Sequence, residues 1–308
     1  MDRFVRNLPP LLRRAALALL ACVAMLLPAL ASAQIRYTNT TDGTVNETVT
    51  PCATPLLRTF TVPDIYTVSD VDLGVLMAHT YRGDLFMYLQ SPAGTRVQVF
   101  TGTGGTANNF NVLMNDAAAN PVTGHTANDT ATAGTVVPPY QRTFRPANAL
   151  SAFNGENANG VWTLEICDRF DVDSGTFYQS DLFITATPTT MGVAKTSTII
   201  SDGFNPANPK AIPGATLRYC FTVSNTGAGL AAAITASDPL PANTSFVPGS
   251  IRSGADCASA TTVEDDNASG GDESDPYGAS FAGSTVTFTA ASLAPGVSAA
   301  LAFDVTIN

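Results

Sequence analysis

Apolar and polar residues alternate in short runs along most of this chain, and helical spacing is almost absent after residue 33. Val71, Leu73, Val75 and Met77 share one face of a predicted strand, with Asp70 and Asp72 on the other. Leu85, Met87 and Leu89 line a second strand, which ends at the turn Ser91-Pro92-Ala93-Gly94. Trp162, Leu164 and Ile166 make a third inward face, with Cys167 on the opposite side, and Leu182 and Ile184 close the first half. The stretch from Thr101 to Pro146 is rich in Gly, Asn, Ala and Thr and is too long for a structureless loop. Phe110, Val112 and Met114 alternate inside it and predict at least one strand, with the rest folded over. After Thr187-Pro188-Thr189-Thr190 the pattern restarts with Leu217, Tyr219, Phe221 and Val223 facing inward, followed by a turn at Asn225-Thr226-Gly227. Val286 with Phe288, a turn at Leu293-Ala294-Pro295-Gly296, and Leu301, Phe303, Val305 and Ile307 complete it. The expected fold class is all-β, two sandwiches in series, over residues 34–188 and 189–308.

Residues 1–33 read as an address. Arg3, Arg6, Arg13 and Arg14 precede the apolar run Ala15 to Leu30, and Ala31-Ser32-Ala33 is a small-x-small cleavage site. Leu19-Leu20-Ala21-Cys22 resembles a lipoprotein box, but a further apolar stretch follows Cys22 where an anchored mature chain turns polar. Export with cleavage before Gln34 is therefore expected, giving a secreted protein, extracellular or periplasmic, with no membrane insertion after cleavage. Removing four Arg and one Asp from 15 basic and 25 acidic residues leaves 11 and 24, a net charge of −13. Such a field repels phosphate backbones and argues against nucleic acid as a partner.

Cys52, Cys167, Cys220 and Cys257 survive cleavage, and four cysteines allow three pairings. An oxidising compartment and one pair per sandwich point to Cys52–Cys167 and Cys220–Cys257. A zinc site is the rival, but no CxxC spacing occurs and both histidines lie far off in sequence.

His79-Thr80-Tyr81-Arg82-Gly83-Asp84-Leu85, Leu150-Ser151-Ala152-Phe153-Asn154-Gly155 and Gly160-Val161-Trp162-Thr163-Leu164 together resemble the P domain, or Homo B domain, of kexin- and furin-like subtilisin proteases. The resemblance covers Pro51 to Thr187 and implies a jelly-roll-like β-sandwich that stabilises or steers a protease or, in bacterial exoenzymes, helps engage substrate. It implies no catalysis by the domain itself. His79, Tyr81, Arg82, Gly83, Asp84 and Trp162 carry the motif. Val193 to Asn308 resembles the bacterial surface Ig-like repeat named domain of unknown function eleven.

The chemistry that the residues permit is narrow. A subtilisin-type triad needs Ser, His and Asp in mutual reach, and the family places it in a separate large domain for which this chain has no room. The histidines are His79, inside the motif, and His125, in the Gly/Asn/Thr-rich stretch, so no catalytic residue is expected. Lys195 and Lys210 both fall in the second half, away from a Ser-Lys dyad. Asp173-Ser174-Gly175 occurs once where an aspartic protease needs two. Arg82-Gly83-Asp84 spells an integrin-binding tripeptide, but inside the motif its glycine turns the chain and its ions pair locally. Asp168, Asp171 and Asp173 before Gly175 are a candidate calcium set of hard oxygen ligands, with Asp265, Asp266 and Asp272 as the alternative in the run Glu264-Asp265-Asp266-Asn267 to Asp275. Both have a plainer reading as solvated acidic loops, and no other cofactor is indicated. The function expected is binding, adhesion or targeting toward an extracellular protein or polymer. The alternative is an accessory role beside a separately encoded subtilisin-like serine endopeptidase.

Overall fold

The computed structural model describes residues 34–274 and 276–308, so the expected export signal of residues 1–33, and Asp275, lie outside the described residues. Every extended element is a β-strand, and the remaining regular structure is short 3-10 turns. The chain is all-β.

The first sandwich packs two sheets. One holds β1 (Gln34–Asn39), β10 (Gly175–Ala186), β4 (Val68–His79), β7 (Phe110–Met114) and β8 (Arg142–Phe144) in that order, with β2 (Gly43–Val45) also on β10. The other runs β3 (Leu56–Val62), β9 (Gly160–Asp168), β5 (Leu85–Gln90), β6 (Arg96–Thr101). All pairs are antiparallel except β7 with β8. The alternation in sequence is the packing: Val71, Leu73, Val75 and Met77 of β4 are fully buried against Leu85, Met87, Leu89, Trp162, Leu164 and Ile166. Trp162 donates its indole N–H to Ala158 O at 2.9 Å and meets Phe153 edge-on, so the one tryptophan is both packed and satisfied.

The other face of β4 departs from simple alternation. Leu76 is buried under Ala131, Val137 and Tyr140, because the Gly/Asn/Thr-rich segment folds back over the sheet. Gly74 makes this possible: a β-carbon there would stand 2.2 Å from the Tyr140 ring. The tyrosine hydroxyl donates to Asp181 Oδ2 at 2.7 Å, and Arg36 Nε reaches Oδ1 of the same carboxylate at 3.0 Å. The predicted strand in this segment is β7, and β8 joins it from the far end.

The second sandwich holds β11 (Met191–Ser201), β12 (Thr216–Asn225), β19 (Ser298–Ile307), β15 (Arg252–Gly254) and β16 (Thr262–Val263) in one sheet, with β14 (Thr244–Phe246) also on β19. Its other sheet is β13 (Ala231–Pro239), β18 (Thr285–Leu293), β17 (Tyr277–Ala282). Phe221, Val223, Val286, Phe288, Leu301, Phe303 and Val305 form its core. The Thr187–Thr190 segment is bonded at both ends: Thr187 N–H donates to Thr67 O at 2.7 Å, and Thr226 N–H donates to Thr190 O at 2.8 Å.

Both disulfides form as paired in the sequence. Cys52–Cys167 ties the segment before β3 to the end of β9, and Cys220–Cys257 ties β12 to a loop. Cys220 packs with Ala300, Ala302 and Ala260 rather than with the core, so the second bond pins its loop to the outside of the sheet.

Candidate functional site

The motif residues gather where β4 ends, β9 ends and β10 begins. The Arg82–Asp84 segment makes a 3-10 turn directly after β4. Its backbone is held from the side by Arg82 N–H to Ala107 O at 2.9 Å and Gly83 N–H to Gly105 O at 3.1 Å. His79 is buried at the last position of β4, and Asp168 is buried at the last position of β9. Their side chains meet, Nε2 to Oδ2, at 3.1 Å. His79 Nδ1 lies 2.9 Å from Tyr81 O and 3.2 Å from Tyr81 N, so both ring nitrogens are occupied. Asp168 Oδ1 accepts from Phe170 N–H at 3.1 Å, and the Asp168 N–H donates to Thr50 O beside the Cys52–Cys167 bond.

A second buried pair stands on the other side of the turn. Asp129 accepts from His125 Nε2 at 2.9 Å, Arg142 Nε at 2.8 Å and Asn111 N–H at 3.1 Å. The Arg82 guanidinium is fully buried over the Phe110 ring, 3.8 Å from Asp129 Oδ2, and donates to Ala127 O. His125 stacks on Phe144 at 4.5 Å. Asp129 thus meets side chains from three different segments, of which the Arg82 guanidinium is fully buried. Neither Asp129 nor Arg142 was singled out in the sequence; the available signal was a lone carboxylate between a histidine and an arginine in an otherwise uncharged stretch.

The electrostatics are those of a packed interior. Burial pushes the Asp168 carboxyl above its ordinary range, and the Phe170 N–H and His79 pull it part of the way back. Burial, then the neighbouring Asp168 and Asp173, raise Asp84, with His79 opposing. Burial lowers Arg82, and Asp129 offsets the loss. Because Arg82 is fully buried and Asp84 is 7% exposed, the Arg-Gly-Asp tripeptide faces inward and is not displayed to a receptor. Both histidine rings are closed off from solvent, which leaves neither one open to a substrate proton.

The acidic candidates are placed as follows. Asp168 is committed to His79 and Phe170, Asp173 accepts from the Thr80 hydroxyl at 2.7 Å, and Asp171 is exposed. In the second run, Asp265 accepts from Asn267 N–H, Asp266 accepts from Gly249 N–H, and Asp272 opens a 3-10 turn. Glu264, expected in a solvated loop, is buried against Ser253. Among the described residues no three His, Cys, Asp or Glu side chains come together to hold a metal ion.

What the site offers outward is its rim. Val49 and Phe170, 57% and 52% exposed, flank the Thr50–Asp168 bond. Val172 is 96% exposed with φ +89°, a left-handed conformation that a β-branched residue rarely adopts. Such strain is a feature of binding loops. Asp171 sits between Phe170 and Val172 in this turn, so the rim mixes apolar and acidic side chains.

Residues 68–184 match the family described as the proprotein convertase P-domain. The match takes in β4 to β10 up to Ile184, and with it both buried pairs and the rim turn. Two crystal structures of a serine protease of Aeromonas sobria, one of them in complex with a chaperone, are similar to the chain at 18% identity and a TM-score of 0.28. The similarity covers 54% of this chain and 29% of the solved one, so the chain spans less than a third of the length of those proteases. No curated protein matches the chain. Among the described residues no helix is long and apolar enough to cross a membrane.

Proposed function

We propose that this is a secreted, non-catalytic binding protein whose P-domain sandwich engages an extracellular protein or polymer, with the β9–β10 rim as its contact surface. The observation that carries this reading is the closure of both histidines. Each is buried and bonded to a carboxylate, inside a sandwich that matches an accessory domain of proteases. The buried polar chemistry of this sandwich is then structural, and recognition falls to its exposed loops. Two disulfides suit an oxidising compartment. An Ig-like second sandwich would act as a spacer or a further contact surface. Retention of the purified protein on collagen, chitin, cellulose or peptidoglycan tests the reading. Saturable retention weakened by Phe170→Ala supports it, and retention on none of them removes the polymer class.

The second reading is an accessory that acts in trans on a separately encoded subtilisin-like serine endopeptidase. The family match favours it, since the domain is named for its place beside such enzymes. It predicts that the purified protein raises the thermal stability of a P-domain-deleted protease of that class, and no shift would count against it.

A further inference from the structure

β11 is an open edge. It ends the sheet order β11-β12-β19-β15-β16, pairs with β12 alone, and at 11 residues is the longest edge strand among the described residues. The competing edges are blunted. β13 carries Ala233 at φ +52°, which drops out of its ladder, and ends in Asp238-Pro239. The β6 edge is capped by Ala147 N–H to Val99 O and Asn148 N–H to Gln98 O. β17 is bonded through Phe281 N–H to Asp266 O. Between Val193 and Ile199 β11 has no proline and no irregularity in its ladder, and it is exposed along almost its whole length.

Four exposed apolar side chains lie along this edge. Met191, Val193, Ile200 and Phe204, at 40%, 66%, 43% and 83% exposure, all lie on β11 or just past its end. In a chain of net charge −10 this edge is locally neutral. The one ionised side chain on β11 itself, Lys195, is turned inward to Asp238 at 2.7 Å and lies over the Tyr219 ring, and Asp202, just past its end, is held by the N–H groups of Phe204, Asn205 and Lys210. A second copy of the chain, repelled elsewhere by its acidic surface, meets on this strand one charge, Lys195, which is already paired with Asp238 of its own chain.

We propose that two copies of the protein pair through β11, antiparallel about a two-fold axis at Thr196, to form one continuous sheet across a dimer. The sequence is self-complementary in that register. Val193 stands opposite Ile199 twice, on the face that carries Lys195, and Lys195 stands opposite Ser197. The ladder runs from Val193 to Ile199, before the irregularity that separates Ile199 from Ser201 in the pairing with β12. The two-fold also brings the Phe204 end of one strand beside the Met191 end of the other, covering two exposed side chains. Because the contact is isologous and uses the one long free edge, it closes at a dimer and does not propagate into a fibre. The pairing belongs to the second sandwich and is independent of what the first one binds.

Sedimentation velocity on the purified, oxidised protein across the micromolar range tests it. Thr196 is exposed, gives only a long 3.4 Å hydroxyl bond to Cys220 O and is the one residue opposite itself, so Thr196→Glu sets two carboxylates against each other without entering the core. Dimer formation is expected in the native protein, weakened about tenfold or more in Thr196→Glu and in Thr196→Lys, and restored when the two variants are mixed. A native protein that stays monomeric overturns the proposal, and so does a dimer that both substitutions leave intact. Should Thr196→Glu fail to fold, Thr196→Lys reads the same self-opposition.

Discussion

The imidazole Nε2 of His79 lies 3.1 Å from Oδ2 of Asp168, with both side chains fully buried and 89 positions apart in sequence. The pair joins the last residue of β4 to the last residue of β9 and so holds together the two sheets of the first sandwich. Removing one partner of a buried pair strands the other. Asp168→Ala is expected to lower the unfolding free energy by about 3 kcal/mol or more, and Asp168→Asn, which keeps an acceptor, by less. Urea unfolding followed by Trp162 fluorescence measures both, and an unchanged midpoint in Asp168→Ala would refute the role.

Asp129 serves three cationic or polarisable partners, and the most deeply buried of them is Arg82. Asp129→Ala should therefore destabilise more than Arg142→Ala, since the Arg142 side chain is 37% exposed and is replaced by water. The order of the two melting temperatures decides the matter. The same burial predicts that cells bearing Arg-Gly-Asp-binding integrins do not spread on the folded protein and do so only after it is unfolded.

Asp72 carries a pH signature. Burial, with Asp70 and Asp116 nearby, lifts its carboxyl from 3.8 to about 6, against lowering by Gln34 and Asn115. The folded state holds this proton more tightly than the unfolded chain, so the unfolded chain is the first to lose it. The contribution of Asp72 to stability is then greatest below about pH 4, falls as pH rises to about 6, and stays at the lower level above. Asp72→Asn should raise the melting temperature near neutral pH and change it little in mild acid. Equal effects at both would show that the carboxyl does not titrate as described.

The two disulfides should contribute unequally. Cys52–Cys167 closes a sequence separation of 115 and Cys220–Cys257 one of 37. Loop entropy makes the first worth about 4–5 kcal/mol and the second less. Chemical unfolding of Cys52→Ala/Cys167→Ala and Cys220→Ala/Cys257→Ala double variants compares them, and a larger loss in the second pair would contradict the ordering.

The inward faces were legible because a half-buried strand writes its burial into sequence with a period of two. Val71 to Met77, Leu85 to Leu89 and Leu301 to Val305 all carry that period and all lie in a core. β11 was not legible for the same reason: exposed on both faces, it has no burial to encode. The Asp129 hub escaped because its partners meet across a segment without periodicity, where pairing depends on how the chain folds back. Leu76 was hidden by the same fold, which covers a face of β4 that alternation marks as polar. Within the motif, His79, Arg82, Asp84 and Trp162 were picked out together, but only the structure shows that all four are buried. In the acidic run, Asp168 meets His79 and Asp173 meets Thr80, partners 89 and 93 positions away that spacing along the chain does not reveal.

The central claim is that the first sandwich binds and does not cut. Its most direct test is one preparation divided between casein turnover and saturation binding to collagen, chitin, cellulose and peptidoglycan, each with the native protein and with Phe170→Ala. The account predicts saturable retention on at least one polymer, weakened in the variant, with no turnover in either. Casein turnover that co-purifies with the protein and disappears in a His79→Ala variant that remains folded would contradict it.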